Sequence, residues 1–311
     1  MMVLWLRFTA LCFLLFSAFA SAAVTPWFSF TLYNGHITLP VTVNGIKTNV
    51  VLDSGAMING INTAFIKANH MQLSKGSAVL VKGAFGTKRQ QSFNDVGVEL
   101  MGAHWQMDHL VSVALGDKNL GLLLGAGFFD KFIFQIDYPN QRMRLITRDS
   151  LDMNRYSNIE MRTAAGGFPI VKTKLNDQKS VWLVLDTGNS GGLLLSHSLV
   201  QAQGWLKTFA SQQVVAQGVN NKVLNDTFRL PVLTFGPYQV ENVAVTVPTD
   251  GRYDATDSLN DGSALTRIDN ARVRGLLGFD VIKHFVLTID YKNGRMNVAV
   301  PTESSTKKNR P

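Results

Sequence analysis

A chain of 311 residues, 46% apolar and 17% charged, has the composition of an ordinary globular protein and enough length for one large domain or two modest ones with real cores. Its formal net charge of +8 is not gathered into a Lys/Arg stripe with interleaved aromatics, so nucleic acid is excluded as an expected partner, and the single cysteine excludes a disulfide framework.

Met1 to Ala22 reads as a secretory signal peptide: Arg7 gives a positive start, Phe8 to Ala20 are almost wholly apolar, and Ala20-Ser21-Ala22 is a small-residue cleavage site. The apolar run is shorter than the ~20 residues that cross a bilayer, and no later segment could span one, so stable membrane insertion is not expected. Cys12 lies inside this segment. An exported chain would then carry neither disulfide nor thiol nucleophile, compatible with a bacterial periplasm or the exterior.

From Trp27 the sequence alternates in short extended runs. Phe28 to Leu32 and His36 to Leu39 flank Asn34-Gly35, and Asn44-Gly45 follows Pro40 to Val43; Asn-Gly between β-favouring runs is a strong hairpin signal. The next strand ends at Asp53. Asn62 is placed to cap a short helix over Thr63 to His70. Val79 to Val81, the tip Gly83-Ala84-Phe85-Gly86 and a polar return to Ser92 predict a mobile hairpin, and strands are expected at Val96 to Leu100 and His109 to Ala114. Gly121 to Gly125, a short helix over Phe128 to Phe134 and a hairpin over Gln135 to Met143 close the first half.

The order then repeats. A polar linker with a first strand at Ile159 to Met161 precedes strands from Gly167 to Leu175, the turn Asn176-Asp177 and a strand ending at Asp186. Ser196 caps a helix over His197 to Gln203, and Val214 to Val219 with Val223 to Phe228 make another hairpin. Six pairs, Gly125 and Gly278, Phe132 and Phe285, Asp137 and Asp290, Tyr138 and Tyr291, Arg142 and Arg295, Met143 and Met296, are each 153 apart, whereas Asp53 and Asp186 are 133 apart. The surplus of 20 fits an inserted surface loop within Thr249 to Arg274. Duplication at this period means two copies of a domain: a signal peptide over 1–22, a lobe over 23–148, a linker and first strand over 149–165, a second lobe over 166–302 and a disordered tail over 303–311 carrying Lys307-Lys308-Asn309-Arg310.

What the halves share at their centre is an apolar strand running into Asp, a small hydroxyl residue and Gly: Val50-Val51-Leu52-Asp53-Ser54-Gly55-Ala56 and Leu183-Val184-Leu185-Asp186-Thr187-Gly188-Asn189. Alone, the tripeptide is a common turn. Two copies related by a pseudo-twofold axis would bring Asp53 and Asp186 face to face, where both cannot ionise comfortably, giving an acid and a base in one site. A water between them could attack an amide without a covalent intermediate.

These motifs, with the Leu-Leu-Gly runs ending at Gly125 and Gly278, resemble the aspartic proteases of the pepsin and retropepsin clan over nearly all of the chain after Ala22. That clan is the familiar example of two aspartates sharing one proton. The resemblance implies an all-β fold of two tandem barrel lobes with short helices, a cleft between them, and endopeptidase action on an extended peptide or protein, by a monomer whose own lobes pair and with no cofactor or metal. It makes Asp53 and Asp186 the catalytic pair, Ser54 and Thr187 the hydroxyls linking the motifs, and Gly55 and Gly188 the turn glycines. Gly83, Phe85, Gly86 and Thr87 match the flap that closes over substrate. Phe85 stands where pepsins commonly carry Tyr. Ala56 cannot donate to the outer oxygen of Asp53, which implies an optimum less acidic than pepsin's.

Three other readings are weaker. Gly188-Asn189-Ser190-Gly191-Gly192 satisfies the serine-hydrolase elbow pattern, and Asp280 and His284 could complete a triad, but the pattern needs a strand-to-helix turn in an α/β sheet. His104 and His109 are not at helical metal-ligand spacing, and the remaining histidines are scattered. A catalytically silent member of the same fold that binds a peptide or protein is the alternative function.

Overall fold

Local turn chemistry sets the first strands. After β1 (Phe28–Ser29) and β2 (Thr31–Tyr33), Asn34-Gly35 at φ 49° and 84° leads into β3 (His36–Val43), and Asn44-Gly45 at 46° and 80° leads into β4 (Ile46–Leu52). Positive φ at both turn residues is the primed hairpin geometry, which matches the right-handed twist of paired strands. The register, Ile37 opposite Leu52 and Val43 opposite Ile46, buries Ile37, Leu39, Val41 and Val43 on one face. Then come β5 (Gly60–Asn62), α1 (Thr63–Ala68), β6 (Ser74–Lys75), the hairpin β7 (Val79–Gly83) and β8 (Gly86–Gln90), β9 (Ser92–Asn94), β10 (Val96–Leu100), β11 (Ala103–Met107), β12 (Leu110–Val113) and β13 (Leu120–Leu124). Helix α1 is capped as its sequence predicts, the Asn62 side chain accepting from the Ala64 N–H. α2 (Ala126–Phe129), β14 (Ile133–Asp137) and β15 (Arg142–Ile146) follow.

The second half repeats the plan. A 3-10 turn and α3 (Met153–Tyr156) lead to β16 (Ile159–Thr163), then β17 (Pro169–Leu175) turns at Asn176-Asp177, φ 48° and 53°, into β18 (Lys179–Leu185). β19 (Leu193–Leu195), α4 (His197–Ala202), α5 (Trp205–Thr208), β20 (Gln212–Gln217), β21 (Lys222–Phe235), β22 (Tyr238–Pro248), β23 (Val273–Leu277), α6 (Phe279–Ile282), β24 (Val286–Asp290) and β25 (Arg295–Ala299) complete it. The computed structural model describes residues 23–83, 86–163, 168–217, 222–249 and 272–301. The expected signal peptide, Ala84 and Phe85 of the hairpin tip, most of the expected inserted loop and the expected tail lie outside the described residues.

Both halves have one topology. In the first, β4 runs antiparallel to β3 and parallel to β13, β13 antiparallel to β5, and β5 parallel to β12. In the second, β18 runs antiparallel to β17 and parallel to β23, β23 antiparallel to β19, and β19 parallel to β22. The lobes join through a shared platform in the order β1-β15-β14-β24-β25-β16, three strands from each. At its centre Gln135 of β14 faces Thr288 of β24, with the Gln135 side-chain N–H donating to Thr288 Oγ1 at 2.8 Å. These two residues are themselves 153 apart, so the pseudo-twofold axis passes between them. The protein is a two-lobed all-β chain, and no described helix is long and apolar enough to cross a membrane.

Several local expectations are corrected. The helix expected over Phe128 to Phe134 lies earlier, at Ala126–Phe129, because all five residues of β14 are buried and that strand is paired on both edges; tertiary pairing overrides local pattern there. Strand β11 has no signal in the sequence, being almost wholly exposed and paired to β10 alone. Helices α3 and α5 are also additions to the sequence-based expectation. Strand β21 runs on past Phe228 to Phe235 before turning at Gly236, φ 60°.

Candidate active site

Strand β4 is held between β3 and β13, and this pairing delivers Asp53 at its end, with the Asp53 N–H donating to Leu124 O at 2.9 Å. Strand β18 delivers Asp186 identically, its N–H donating to Leu277 O at 2.9 Å. Each chain then turns back, Ala56 N–H to Asp53 O and Asn189 N–H to Asp186 O, both 3.2 Å. The turn aims the glycine amide at the carboxylate: Gly55 N–H donates to Asp53 Oδ1 and Gly188 N–H to Asp186 Oδ1, each at 2.9 Å. Behind the loops, a Cβ on Gly125 would stand 2.4 Å from Ala56 O, and one on Gly278 2.5 Å from Asn189 O. Backbone therefore packs directly on backbone there, which only glycine permits.

The two loops are tied by a cross of four buried hydrogen bonds. Ser54 N–H donates to Thr187 Oγ1 and Thr187 N–H donates to Ser54 Oγ, both at 2.9 Å. Ser54 Oγ in turn donates to Leu185 O at 2.7 Å, and Thr187 Oγ1 to Leu52 O at 2.9 Å. Each hydroxyl gives one bond and takes one across the lobe boundary, so the pairing expected of Ser54 and Thr187 is present.

That cross sets the carboxylates against one another. A Cβ added at Gly188 would meet Asp53 Cγ at 2.2 Å, and one at Gly55 would meet Asp186 Cγ at 2.4 Å. Each motif's glycine is thus the floor for the other motif's carboxylate. Asp186 is 8% exposed, while Asp53 is more open. Burial and then the adjacent Asp53 carboxylate push Asp186 well above the ordinary aspartate range. Burial raises Asp53 too, against the lowering effect of its hydrogen bonds with Asp186 and the loop amides. Two carboxyls so placed titrate as a unit, and the singly protonated pair holds an acid and a base side by side.

Not every expected residue enters this centre. Gly83, Gly86 and Thr87 fall in the β7–β8 hairpin, with Lys82 paired to Thr87 and Gly83 to Gly86, and Phe85 lies outside the described residues. Val79 of β7 and Gln212 of β20 are 133 apart, so each lobe carries a hairpin at this point in its order. The Asn189 side chain is engaged within its own loop, its Oδ1 accepting from Gly191 N–H at 3.0 Å. Ser190 precedes a strand, β19, rather than a helix, so the serine-hydrolase elbow is not formed. Among the described residues no three His, Cys, Asp or Glu side chains gather as metal ligands.

Three residues near the loops are not singled out by the sequence. His36 is half-buried on β3, and burial holds it below the ordinary histidine range against a smaller raising effect of the Thr187 backbone. Tyr138 and Tyr291 lie buried beside the pair. The 153-residue repeat contains both tyrosines, and that is the available signal; nothing in the spacing marks His36.

The family described as "Aspartyl protease" matches residues 39–128 and 171–281, each segment holding one copy of the motif. A solved retropepsin-like aspartic protease from Rickettsia conorii is 19% identical, with 41% of this chain and 94% of that chain covered, at a TM-score of 0.27. No curated protein matches the chain.

Proposed function

We propose that this chain, which belongs to the aspartyl protease family, is an exported endopeptidase whose reacting groups are Asp53 and Asp186. The observation that carries the proposal is the reciprocal contact of each motif's glycine with the other's carboxylate, since it requires both lobes to make one centre. The pair's shared proton favours Asp186, the more enclosed carboxyl, and leaves Asp53 as base. Asp53 takes a proton from water as the water oxygen bonds to the peptide carbonyl carbon, while Asp186 gives its proton to the carbonyl oxygen. The tetrahedral diol then breaks its C–N bond as Asp53 returns a proton to the leaving nitrogen and Asp186 recovers one from a hydroxyl. No metal, cofactor or covalent intermediate is required.

The partner is a peptide or protein substrate, laid in the cleft under the hairpin that includes Gly83, Phe85, Gly86 and Thr87. The active unit is a monomer, since one chain supplies both motifs and both halves of the platform. Residues Met1 to Ala22 direct export to the periplasm or exterior.

Cleavage of a diverse peptide pool by the purified protein, beside Asp53→Asn and Asp186→Asn and with a statine-type inhibitor, tests this reading. Loss of cleavage in both variants and inhibition of the parent are expected. If both substitutions leave cleavage untouched, the pair is not the reacting centre; peptide binding without cleavage by the parent would favour a silent binding protein.

A further inference from the structure

Strand β16 pairs with β25 at Ile159 and Glu160 and then with β17 from Met161 to Thr163. At this change of partner the second lobe opens into a cavity of about 480 Å³, within the size range of ligand sites. Its walls include Glu160, Arg162, Trp182 and Arg295, with Asn154 of α3, and no lining residue belongs to either Asp-hydroxyl-Gly motif. Sheet register explains why these side chains meet. Glu160 stands opposite Arg295 and Lys172 opposite Trp182, while the Arg162 guanidinium lies over the Trp182 ring at 4.9 Å.

The repeat shows what is unusual about Arg295. Its counterpart 153 residues earlier, Arg142, donates through Nε to Asp137 at 2.9 Å and lies 4.5 Å from the Trp27 ring centre. In the second lobe the matching carboxylate, Asp290, is bonded instead by Arg148, which reaches over from the first lobe at 2.9 Å. Glu160, opposite Arg295 in the sheet, is paired with Lys172 at 2.7 Å, and Asp152 with Arg155 at 3.5 Å. Each acid near Arg295 thus has another cation. Arg295 itself donates only to neutral oxygens, Asn154 Oδ1 at 3.1 Å and Gly294 O at 3.5 Å. Among the described residues it is a guanidinium without a carboxylate partner, held by an amide at the wall of a cavity.

We propose that this cavity is a second binding site, separate from the aspartate pair, which takes a carboxylate carried by a peptide, with Arg295 as its charged anchor. A guanidinium offers a planar fork of donors that matches a carboxylate. A singly charged carboxylate suits the cavity better than a phosphate, because Glu160 stands in the same wall and would repel a dianion more strongly. Helix α3 adds no backbone anion site, being four residues long and capped by the Asp152 side chain. One carboxylate fills only a small part of the volume, which leaves room for neighbouring residues of an extended segment against Trp182. Binding here uses neither Asp53 nor Asp186, so it holds whether or not the chain cleaves peptides.

The test is an NMR titration of 15N-labelled Asp186→Asn protein, chosen so that added peptides are not consumed, with Trp182→Phe assigning the indole N–H signal of Trp182. Four probes are compared: a peptide blocked at both ends with one aspartate, an unblocked-C-terminus peptide without acidic side chains, a blocked neutral peptide, and inorganic phosphate. Saturable movement of the Trp182 signal with one or both carboxylate peptides is expected, and the tighter of the two tells whether a side chain or a chain end is the natural source. Arg295→Gln should weaken that binding by about fivefold or more, while Arg155→Gln, an equal change of charge outside the cavity lining, should leave it unchanged; unmoved signals from the other tryptophans show that each variant is folded. No saturable movement with either carboxylate peptide would overturn the inference, as would equal or tighter binding of the neutral peptide or phosphate, or an equal loss in both arginine variants. A statine-type inhibitor should not displace the peptide, and displacement would assign the carboxylate to the cleft instead. Failure of peptide cleavage elsewhere would sink the proposed activity and leave this result standing.

Discussion

Replacing Gly188 by alanine tests the closeness of the two motifs most directly. The new Cβ would fall 2.2 Å from Asp53 Cγ and 2.4 Å from each of its oxygens, against the roughly 3.4 Å at which ordinary contact begins. A gap of about 1.2 Å must therefore open, by rotating the Asp53 carboxylate or by parting the lobes. The first route breaks the bond from Gly55 N–H, and the second strains the four bonds of the cross. Overpacking of this kind destabilises by about 1–3 kcal/mol, but a misplacement near 1 Å at reacting groups lowers a rate by about 100-fold. The expected signature is a loss of kcat far larger than the loss of stability. Gly55→Ala should behave likewise, since its Cβ would meet Asp186 Cγ at 2.4 Å. Gly127→Ala in α2 is the control: its Cβ meets nothing within 4 Å, so kcat should stay unchanged and stability should move by no more than about 1 kcal/mol. Peptide cleavage and urea unfolding of all three variants give both quantities. A Gly188→Ala protein with kcat within about threefold of the parent's would refute the reasoning, because ordinary catalysis would then survive a displacement of this size.

Thr187→Ala strands Ser54 N–H and Leu52 O in the interior and should lower stability by about 2–4 kcal/mol in urea unfolding, while Thr187→Ser should stay within about 1 kcal/mol; equal losses in the two variants would mean that packing of the methyl, not the hydroxyl, matters. For pH, Asp186 is held well above the ordinary value of 3.8 by burial and by Asp53, so the folded chain keeps a proton that the unfolded chain releases. Its contribution to stability is full below about pH 4 and is lost as pH rises through the folded value, so the melting temperature of Asp186→Asn should gain on the parent's from about pH 4 towards neutrality; a constant difference between the two curves would contradict the assignment. Arg148 reaches across the lobes to buried Asp290 at 2.9 Å and also bonds Asp130 O and Lys131 O. Arg148→Ala leaves that aspartate without its ion pair and should cost about 2–4 kcal/mol by thermal or urea unfolding, an expectation that a shift below about 0.5 kcal/mol would defeat.

Turns and strands fixed by short-range chemistry were legible in the sequence. Asn34-Gly35, Asn44-Gly45 and Asn176-Asp177 announce their own hairpins, and the Asn62 and Ser196 caps announce their helices, because each effect is settled within four residues. Asp53 and Asp186 were matched for a different reason: six pairs 153 apart marked a duplicated chain, and within it the Asp-hydroxyl-Gly motif recurs at an offset of 133. Elements shaped by distant partners were not legible. Ile133 and Phe134 are in a strand because β24 lies beside them, and β11 carries no inward apolar row to betray it. The burial of Tyr138 and Tyr291 and the closeness of His36 to the Thr187 backbone arise only when two lobes meet, so no window of sequence contains them.

The placement of the axis between Gln135 and Thr288 also fixes when the site can exist. Strand β24 begins at Val286, and β25 ends at Ala299, close to the end of the described chain. A growing polypeptide that has already made Asp53, and even Asp186, still lacks the strands that clasp the lobes together. The first lobe on its own holds a lone carboxylate over an open platform edge. Assembly of the centre is thus deferred until β24 and β25 have been made, and a chain cut short between Asp186 and β24 yields a fragment that holds the two aspartates without the clasp that keeps them opposed.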